Sequence, residues 1–128
     1  MEDDARLEAG RELARRYFGE GVTERWREIS PALEEITSRF AFGDVWSRPA
    51  LGIRERALIA LACTAALRAH AQLGWHARGA LRSGLTADEI REAIIAVAGF
   101  AGFPAAWSGL EAVEPILREG RPTTSPES

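Results

Sequence analysis

His76 is the side chain of this sequence best suited to proton transfer. On a helix, Leu73, His76 and Ala80 share one face, so the imidazole is predicted to point toward the apolar side or its edge. An imidazole gives or takes a proton near neutral pH. The alternative is a hydrogen-bonded core histidine with no catalytic role. His70, six residues earlier, does not share that face and is predicted to lie on the surface.

The segment 40–49 combines aromatic and charged side chains within ten residues. Phe42 and Trp46 offer aromatic surface, Asp44 a carboxylate and Arg48 a guanidinium. Aromatic walls with a few convergent polar groups are typical of pockets for small molecules. In the alternative interpretation the aromatic residues are core anchors, and Asp44 and Arg48 form a solvent-facing ion pair.

Three other arginines lie near these segments, namely Arg54, Arg56 and Arg78, and surface ion pairing is the alternative explanation for each.

The chain has no lysine, which excludes Schiff-base chemistry through an ε-amine. Its one cysteine, Cys63, excludes an intrachain disulfide and a Cys-x-x-Cys redox pair. Cys63 is predicted to be a small core residue. No Cys/His cluster has the spacing of a zinc site, so no metal site is expected.

The composition describes an ordinary soluble protein. A length of 128 residues indicates one domain, predicted over residues 1–119, followed by a disordered tail over 120–128. A net charge of −3 offers no basic face for nucleic acid. The acidic N-terminus lacks the apolar stretch of a signal peptide, and the longest apolar run is too short to span a bilayer. We therefore expect a cytoplasmic protein without membrane contact.

Helical patterns run through almost the whole sequence, and no strand is predicted. The predicted helices cover residues 4–18, 30–42, 53–68, 72–83, 87–101 and 104–118. Ser30 and Pro31 are typical of a helix start, and Thr86 with Glu89 has capping-box spacing. Residues 43–52 are predicted to be a loop. The sequence thus predicts an all-α fold, a compact bundle of about six helices.

Two of these helices, over 57–67 and 93–103, are apolar nearly all round. An exposed helix normally carries a polar stripe, and a chain of this size hardly has room to bury two apolar helices. We therefore expect one of them to pack against another subunit, with Ala96 and Gly99 among the small residues that allow close approach. The alternative is that both lie in one core beneath the amphipathic helices.

Four motifs follow one another along the sequence in a recognisable order. Residues 42–51, Phe-Gly-Asp-Val-Trp-Ser-Arg-Pro-Ala-Leu, resemble the aromatic-Gly-acid-aliphatic-Trp-Ser-Arg-Pro-Gly-Leu segment of the γ-carboxymuconolactone decarboxylase family. Residues 54–62 are similar to the start of its central helix. Residues 76–92 resemble its His-x-Arg-Gly-Ala-Leu signature with the capping box that follows, and 101–106 its Ala-Gly-aliphatic-Pro-Ala-Ala turn. The resemblance covers about residues 10–119.

The resemblance implies an all-helical fold of the alkylhydroperoxidase D-like type and subunits assembled as trimers or hexamers. The peroxidases of that superfamily carry Cys-x-x-Cys-x-x-x-His. Alignment on His76 places Ala69 and Gln72 at the two cysteine positions, and Ala57 at that of the supporting glutamate. The resemblance therefore implies a decarboxylase without a cofactor, and no peroxidase.

The family reaction removes CO₂ from the γ-carbon of a butenolide and delivers a proton to the α-carbon, with the lactone ring as electron sink. For this reaction we predict that His76 is the acid, that Arg48 is a catalytic residue that binds an anionic group, and that Asp44 orients His76 or an arginine. The remaining predicted substrate contacts are Trp46, Arg78, Arg56 and Phe42.

Three departures from the family pattern bear on the substrate. Asp44 stands where a glutamate is usual, Phe100 where a tyrosine is frequent, and Trp107 where a smaller residue is common. Three hypotheses follow: decarboxylation of γ-carboxymuconolactone to 3-oxoadipate enol-lactone in aromatic catabolism, a related reaction on another lactone or enolisable carboxylic acid, or a non-enzymatic oligomeric binding module.

Overall fold

The computed structural model describes residues 2–119, and every regular element in that range is a helix. The predicted all-α class is therefore confirmed. The chain divides into two units, the first ending at Arg56 and the second beginning at Ala57. The single domain expected over 1–119 stays a prediction, and the predicted tail over 120–128 lies outside the described residues. No helix within residues 2–119 is long and apolar enough to cross a membrane.

The first unit contains three α-helices, α1 (Asp3–Phe18), α2 (Val22–Ile29) and α3 (Pro31–Ile36), and a π-helix (Thr37–Trp46). The first helix packs against the π-helix and α2, and α3 packs against α2 and the π-helix. The sequence prediction for α1 is confirmed. It missed α2, because Gly19 and Gly21 were interpreted only as a break. Both glycines do have positive φ, 110° and 88°, but a short helix begins directly after them.

The π-helix replaces the end of one predicted helix and the start of a predicted loop. The predicted start is right, since Ser30 accepts a hydrogen bond from the Leu33 N–H (3.1 Å) and Pro31 opens the helix. However, α3 ends at Ile36, and the chain continues as a π-helix to Trp46. The loop prediction is therefore wrong for residues 43–46.

Two glycines bring the π-helix and α1 into backbone contact. A Cβ atom on Gly10 would lie 1.7 Å from the carbonyl oxygen of Ser38, and one on Gly43 would lie 2.7 Å from that of Arg6. This contact joins residues that are far apart in sequence, so periodicity along the chain does not reveal it.

The second unit is built around its last helix. Its helices are α4 (Ile53–Ala66), whose first turn precedes the division, α5 (His70–Arg82), α6 (Ala87–Ala96), α7 (Ala98–Ala101) and α8 (Phe103–Glu119). Helix α8 packs against α5, α6 and α7. The predicted helices match within a few residues, except that 87–101 divides at Val97. The capping box is confirmed, since Thr86 Oγ1 accepts from the Glu89 N–H (3.0 Å) and Glu89 Oε1 from the Thr86 N–H (2.8 Å).

The two apolar helices are only half covered within one chain. On α4, Ala57, Leu61 and Ala65 are fully buried, whereas Ile59 and Cys63 on the opposite face are exposed. The prediction that Cys63 lies in the core is therefore wrong, because an all-apolar helix does not reveal which face turns inward. Large side chains near the second apolar stretch are also exposed: Ile95, Phe100, Phe103 and Trp107. The alternative in which one core covers both helices is wrong for the single chain.

Candidate functional site

A cleft of about 560 Å³ in the first unit collects several of the residue types expected at a substrate site. One wall is α1, and the other is the segment 46–53, from the end of the π-helix to the start of α4. Trp46 and Arg48, both predicted from the sequence, line this cleft, and so does Arg16 of α1. The cleft thus combines apolar wall with two cationic side chains.

Trp46 belongs both to this wall and to an aromatic cluster. Its ring centroid lies 4.9 Å from that of Tyr17 and 5.1 Å from that of Phe42. Phe18 packs edge-on against Phe42 (5.5 Å), and Trp26 stacks on Phe42 at 6.2 Å. Phe42 is buried at the centre of these rings. Contacts of this kind fix the indole of Trp46 in place.

Asp44 is bound to an arginine that the sequence did not single out. The Arg6 guanidinium donates to both carboxylate oxygens, with 2.8 Å from Nε to Oδ1. This bidentate pair lowers the pKa of Asp44 and raises that of Arg6, mainly through the hydrogen bonds themselves. Asp44 is therefore a carboxylate anchored to α1, and it does not line the cleft.

Two side chains hold the loop that carries Arg48. Arg56 donates from Nη2 to the carbonyl oxygen of Arg48 (3.2 Å). Glu55 accepts from the Gly52 N–H through Oε1 (2.9 Å), at the start of α4. The Arg48 side chain itself is exposed and has no ion-pair partner within residues 2–119. The loop is thus fixed by its backbone, and the guanidinium remains available to a ligand.

A buried carboxylate connects the helices of the first unit. Glu34 is 1% exposed and accepts from Arg11 at both oxygens (2.9 and 2.8 Å). It also accepts from Arg27 (2.9 Å) and from the Ser38 hydroxyl (2.7 Å). These donors, with Arg11 the strongest, lower the pKa of Glu34 to about 2. The network links α1, α2, α3 and the π-helix. This network was not predictable from the sequence, because nothing in the spacing marks Glu34 as buried.

His76 lies in the second unit, on α5, where it is partly buried beside the fully buried Leu73 and Ala77. The predicted orientation toward the apolar side agrees with this placement. Burial lowers the pKa of the imidazole to about 4, because a less hydrated site disfavours the charged form. The side chain is therefore neutral at pH 7. His70 is exposed, as predicted.

Arg78 forms an exposed ion pair with Glu119 at the end of α8. Nη1 lies 2.8 Å from Oε1, and Nη2 lies 3.4 Å from Oε2. The pair raises the pKa of Arg78 and lowers that of Glu119. Both side chains line a second cleft, of about 450 Å³, within the second unit. A ligand carboxylate at Arg78 would share or compete for a guanidinium that Glu119 already contacts.

The predicted site residues thus divide between the two units. Phe42, Asp44, Trp46, Arg48 and Arg56 lie in the first, and of these Trp46 and Arg48 line one cleft. His76 and Arg78 lie in the second. Within residues 2–119, no group of three or more His, Cys, Asp or Glu side chains is placed to hold a metal ion.

Two residues of this region, the cleft residue Arg16 and the Asp44 partner Arg6, lie outside the sequence motifs and were not predicted. The signal for Arg16 is its position on α1, where it follows Ala9 and Leu13 along one helix face at i+7 and i+3.

Comparison with known proteins agrees with the motifs. The model of the carboxymuconolactone decarboxylase family matches residues 31–115. The 4-carboxymuconolactone decarboxylase of Acinetobacter baylyi is 32% identical to this chain, over 93% of the chain and 92% of that protein. The nitrosuccinic acid decarboxylase of Metarhizium robertsii is 35% identical, over 73% of the chain and 76% of that protein. The chain therefore belongs to the carboxymuconolactone decarboxylase family, as an enzyme of the carboxy-lyase class.

Proposed function

We propose that this enzyme decarboxylates γ-carboxymuconolactone to 3-oxoadipate enol-lactone, a step of aromatic catabolism. The observation that carries the proposal is the cleft of the first unit, where Trp46 and the unpaired guanidinium of Arg48 face a space of about 560 Å³. A guanidinium binds a carboxylate through two parallel hydrogen bonds. The relative from Acinetobacter baylyi, which is named for this reaction, adds support over nearly the whole chain.

The reaction needs few groups from the protein. The C–C bond to the γ-carboxylate breaks, CO₂ leaves, and its electron pair spreads through the ring to the lactone carbonyl as a dienolate. One proton then forms the new C–H bond at the α-carbon. Because the ring accepts the electrons, the protein has to bind a dianion, stabilise the developing oxyanion and supply that proton. We assign anion binding to Arg48 and Arg78, with Arg56 holding the backbone of Arg48.

We assign delivery of the proton to His76, on the condition that bound substrate raises the pKa of its imidazole. In the unliganded protein the pKa of His76 is about 4, so the imidazole carries no proton to give at pH 7. Nearby negative charge favours the imidazolium, and the substrate brings two such charges. Binding of the dianion is therefore expected to raise the pKa of His76, so that the imidazole becomes protonated and can act as the acid. Trp46 and Phe42 remain the proposed apolar contacts, and Asp44, through Arg6, anchors the helix that carries Trp46.

The second candidate is decarboxylation of an acid with a different electron sink. The relative from Metarhizium robertsii, named for nitrosuccinic acid, favours it. By its name, that compound has two carboxyl groups and a nitro group, which accepts electrons from the adjacent carbon as a nitronate. It shares with γ-carboxymuconolactone a second carboxylate that the reaction leaves in place. Trp107 and Phe100, which depart from the family pattern, also motivate this candidate.

We further propose that the enzyme acts as a homo-oligomer, a trimer or hexamer, in the cytoplasm. Support for assembly comes from the large apolar side chains that a single chain leaves exposed in its second unit, Phe100, Phe103 and Trp107 among them.

Turnover of the purified protein tests the proposed function. The enzyme is incubated separately with γ-carboxymuconolactone and with nitrosuccinate, and substrate loss and CO₂ release are followed. Release of one CO₂ per γ-carboxymuconolactone, with formation of the enol-lactone, is expected. Turnover of nitrosuccinate alone would select the second candidate, and no turnover of either would contradict both and favour a binding module.

A further inference from the structure

Arg16 occupies a distinctive place on α1. Ala9, Glu12, Leu13 and Arg16 lie at i, i+3, i+4 and i+7, so they form one face of the helix. All four line the cleft that also contains Arg48. Arg16 is in the last turn of α1, where the helix dipole favours a cation. The two arginines therefore reach the same cleft from its two opposite walls.

Arg16 is the arginine of α1 that has no acidic partner in the described part of the chain. Helix α1 has four arginines, and three of them pair with acids: Arg6 with Asp44, Arg11 with Glu34, and Arg15 with Glu12 at 3.6 Å. Arg16 has no such partner among residues 2–119, although Glu12 lies one turn away on the same wall. Like Arg48, it is an exposed cation beside apolar cleft wall.

Two unpaired guanidiniums on opposite walls suit a ligand with two carboxylates. One arginine binds one carboxylate in a bidentate pair, so a second anionic group on the same ligand needs a second cation. The apolar side chains between them, Leu13 and Trp46, provide contact for the carbon skeleton. A monocarboxylate would leave one guanidinium without a partner.

We propose that Arg16 is a substrate-binding residue and forms with Arg48 a clamp that selects dicarboxylates. This inference rests on the proposed function, in which the substrate is a dianion. It assigns the second carboxylate to Arg16 in place of Arg78, whose guanidinium is already paired with Glu119. Decarboxylation removes one carboxylate and leaves the other, so the product binds with one arm of the clamp only. Loss of CO₂ therefore weakens binding of the product.

Calorimetric titration tests the clamp without any turnover. The probes are succinate, glutarate and adipate, which have no electron sink and do not decarboxylate, and the monomethyl ester of whichever binds tightest. The variant is Arg16→Gln. Its matched control is Arg25→Gln, which removes another exposed arginine, on α2 and outside the cleft. Circular dichroism and sizing establish that both variants fold and assemble like the unmodified protein.

The unmodified protein is expected to bind at least one dicarboxylate. Arg16→Gln should weaken that binding by about 10- to 100-fold, the usual effect of losing hydrogen bonds between charged groups. Arg16→Lys should recover part of the loss, because it keeps the charge but not the planar fork. Arg25→Gln should change affinity less than twofold. If one arm is free in the monoester complex, Arg16→Gln should weaken monoester binding much less than diacid binding.

Unchanged diacid affinity in Arg16→Gln, an equal loss for diacid and monoester, or no diacid binding by the unmodified protein would each overturn the clamp. These outcomes are separate from the fate of the proposed function. If diacid binding depends on Arg16 but neither substrate is decarboxylated, the clamp is supported and the proposed reaction is contradicted. If decarboxylation occurs and Arg16→Gln has an unchanged KM, the proposed reaction is supported and the clamp is contradicted.

Discussion

His76 is the residue at which burial and the proposed chemistry make opposite demands. Burial keeps the imidazole neutral, with a pKa of about 4, whereas a general acid must carry a proton when the dienolate forms. The bound dianion resolves the conflict if it raises that pKa. In the unliganded protein no substrate charge offsets the effect of burial. Protonation of His76 should therefore lower the free energy of unfolding of that form.

We expect this effect to appear as a pH dependence of stability. The folded pKa is below the value of 6.5 for an unperturbed histidine, so the unfolded chain binds the proton first as pH falls. The free energy of unfolding should therefore decrease as pH falls from about 6.5 to about 4, and this contribution should level off below that range. The full effect is at most about 3 kcal/mol, from 1.36 kcal/mol for each pH unit.

Urea unfolding at several pH values between 7 and 4, with His76→Gln as control, measures this term. Glu34 titrates in both proteins, with a folded pKa of about 2, so it cancels from the comparison. Between pH 7 and pH 4, the free energy of unfolding of the unmodified protein should decrease more than that of His76→Gln. Parallel pH dependences in the two proteins would show that the imidazole is not held neutral by burial.

The catalytic role of His76 predicts a separate effect on turnover. His76→Ala should lower kcat by about 10²- to 10⁴-fold, the usual contribution of a positioned acid. Arg48→Ala should instead mainly raise KM, because it removes an interaction with the substrate carboxylate. Steady-state decarboxylation by variants that remain folded and keep their oligomeric state provides the measurement. A folded His76→Ala enzyme with near-normal kcat would return His76 to the role of a structural core residue.

At the scale of single elements, the π-helix is the segment on which the first cleft depends. It ends at Trp46, which lines the cleft, and is anchored to α1 by the Arg6–Asp44 pair and by backbone contact at Gly10 and Gly43. A run of ten π-helical residues is rare, and such segments are frequent at functional sites. Its position relative to α1 therefore sets the width of the cleft.

Gly10→Ala tests that contact. The added Cβ would lie 1.7 Å from the carbonyl oxygen of Ser38, which belongs to the backbone and has no rotamer to change. We expect the variant to lose at least about 1–3 kcal/mol of unfolding free energy, the usual cost of overpacking. Gly74→Ala is the matched control, since its Cβ would lie 3.4 Å from Ile116 Cδ1, an ordinary van der Waals contact, and alanine favours a helix over glycine by about 1 kcal/mol.

Chemical denaturation of both variants gives the two free-energy differences. Equal stabilities for Gly10→Ala and the unmodified protein would mean that α1 and the π-helix are not in backbone contact at this point.

Elements with complete local signals were predictable from the sequence. The start of α6 has its capping box, and α1 has an amphipathic pattern and a glycine at its end. The π-helix was not predictable, because the residues that fix it, Gly10 and Arg6, lie 28 and 38 positions upstream of their partners Ser38 and Asp44. The short helix α2 has only eight residues, too few for a periodicity to stand out between two glycines.

The candidate site was predictable only in part for the same reason. Trp46 and Arg48 are within one motif, and the motif places them on one wall of the cleft. Arg16, on the opposite wall, is thirty residues earlier in a helix with four arginines, and only the ion pairs of the other three distinguish it. A sequence motif contains residues that are close together in the chain. Ion-pair partners such as those of Arg6 and Arg11 are brought together only when the chain folds.

For the whole molecule, the exposed apolar surface of the second unit is the main unexplained feature of a single chain. Phe100, Phe103 and Trp107 are 93%, 71% and 67% exposed. Large apolar patches on a soluble protein commonly mark interfaces with other proteins. Gly99 is expected to permit close helix approach. Apart from its own helix backbone and chain neighbours, no atom of residues 2–119 lies within 4 Å of the Cβ that a substitution there would add, so a neighbour has room at this point.

We therefore expect at least a trimer at micromolar concentration, with a mass of three or more times 14.0 kDa by sedimentation or light scattering. The double variant Phe100→Ser/Trp107→Ser should dissociate, because each buried aromatic side chain contributes about 1.5–3 kcal/mol, and two together weaken association by about 10²- to 10⁴-fold. Phe100→Leu/Trp107→Leu is the matched control and should keep assembling, since it preserves apolar surface. A monomeric unmodified protein that unfolds cooperatively would contradict the oligomer. Dissociation of both double variants to the same extent would show that aromatic shape, rather than apolar area, holds the subunits together.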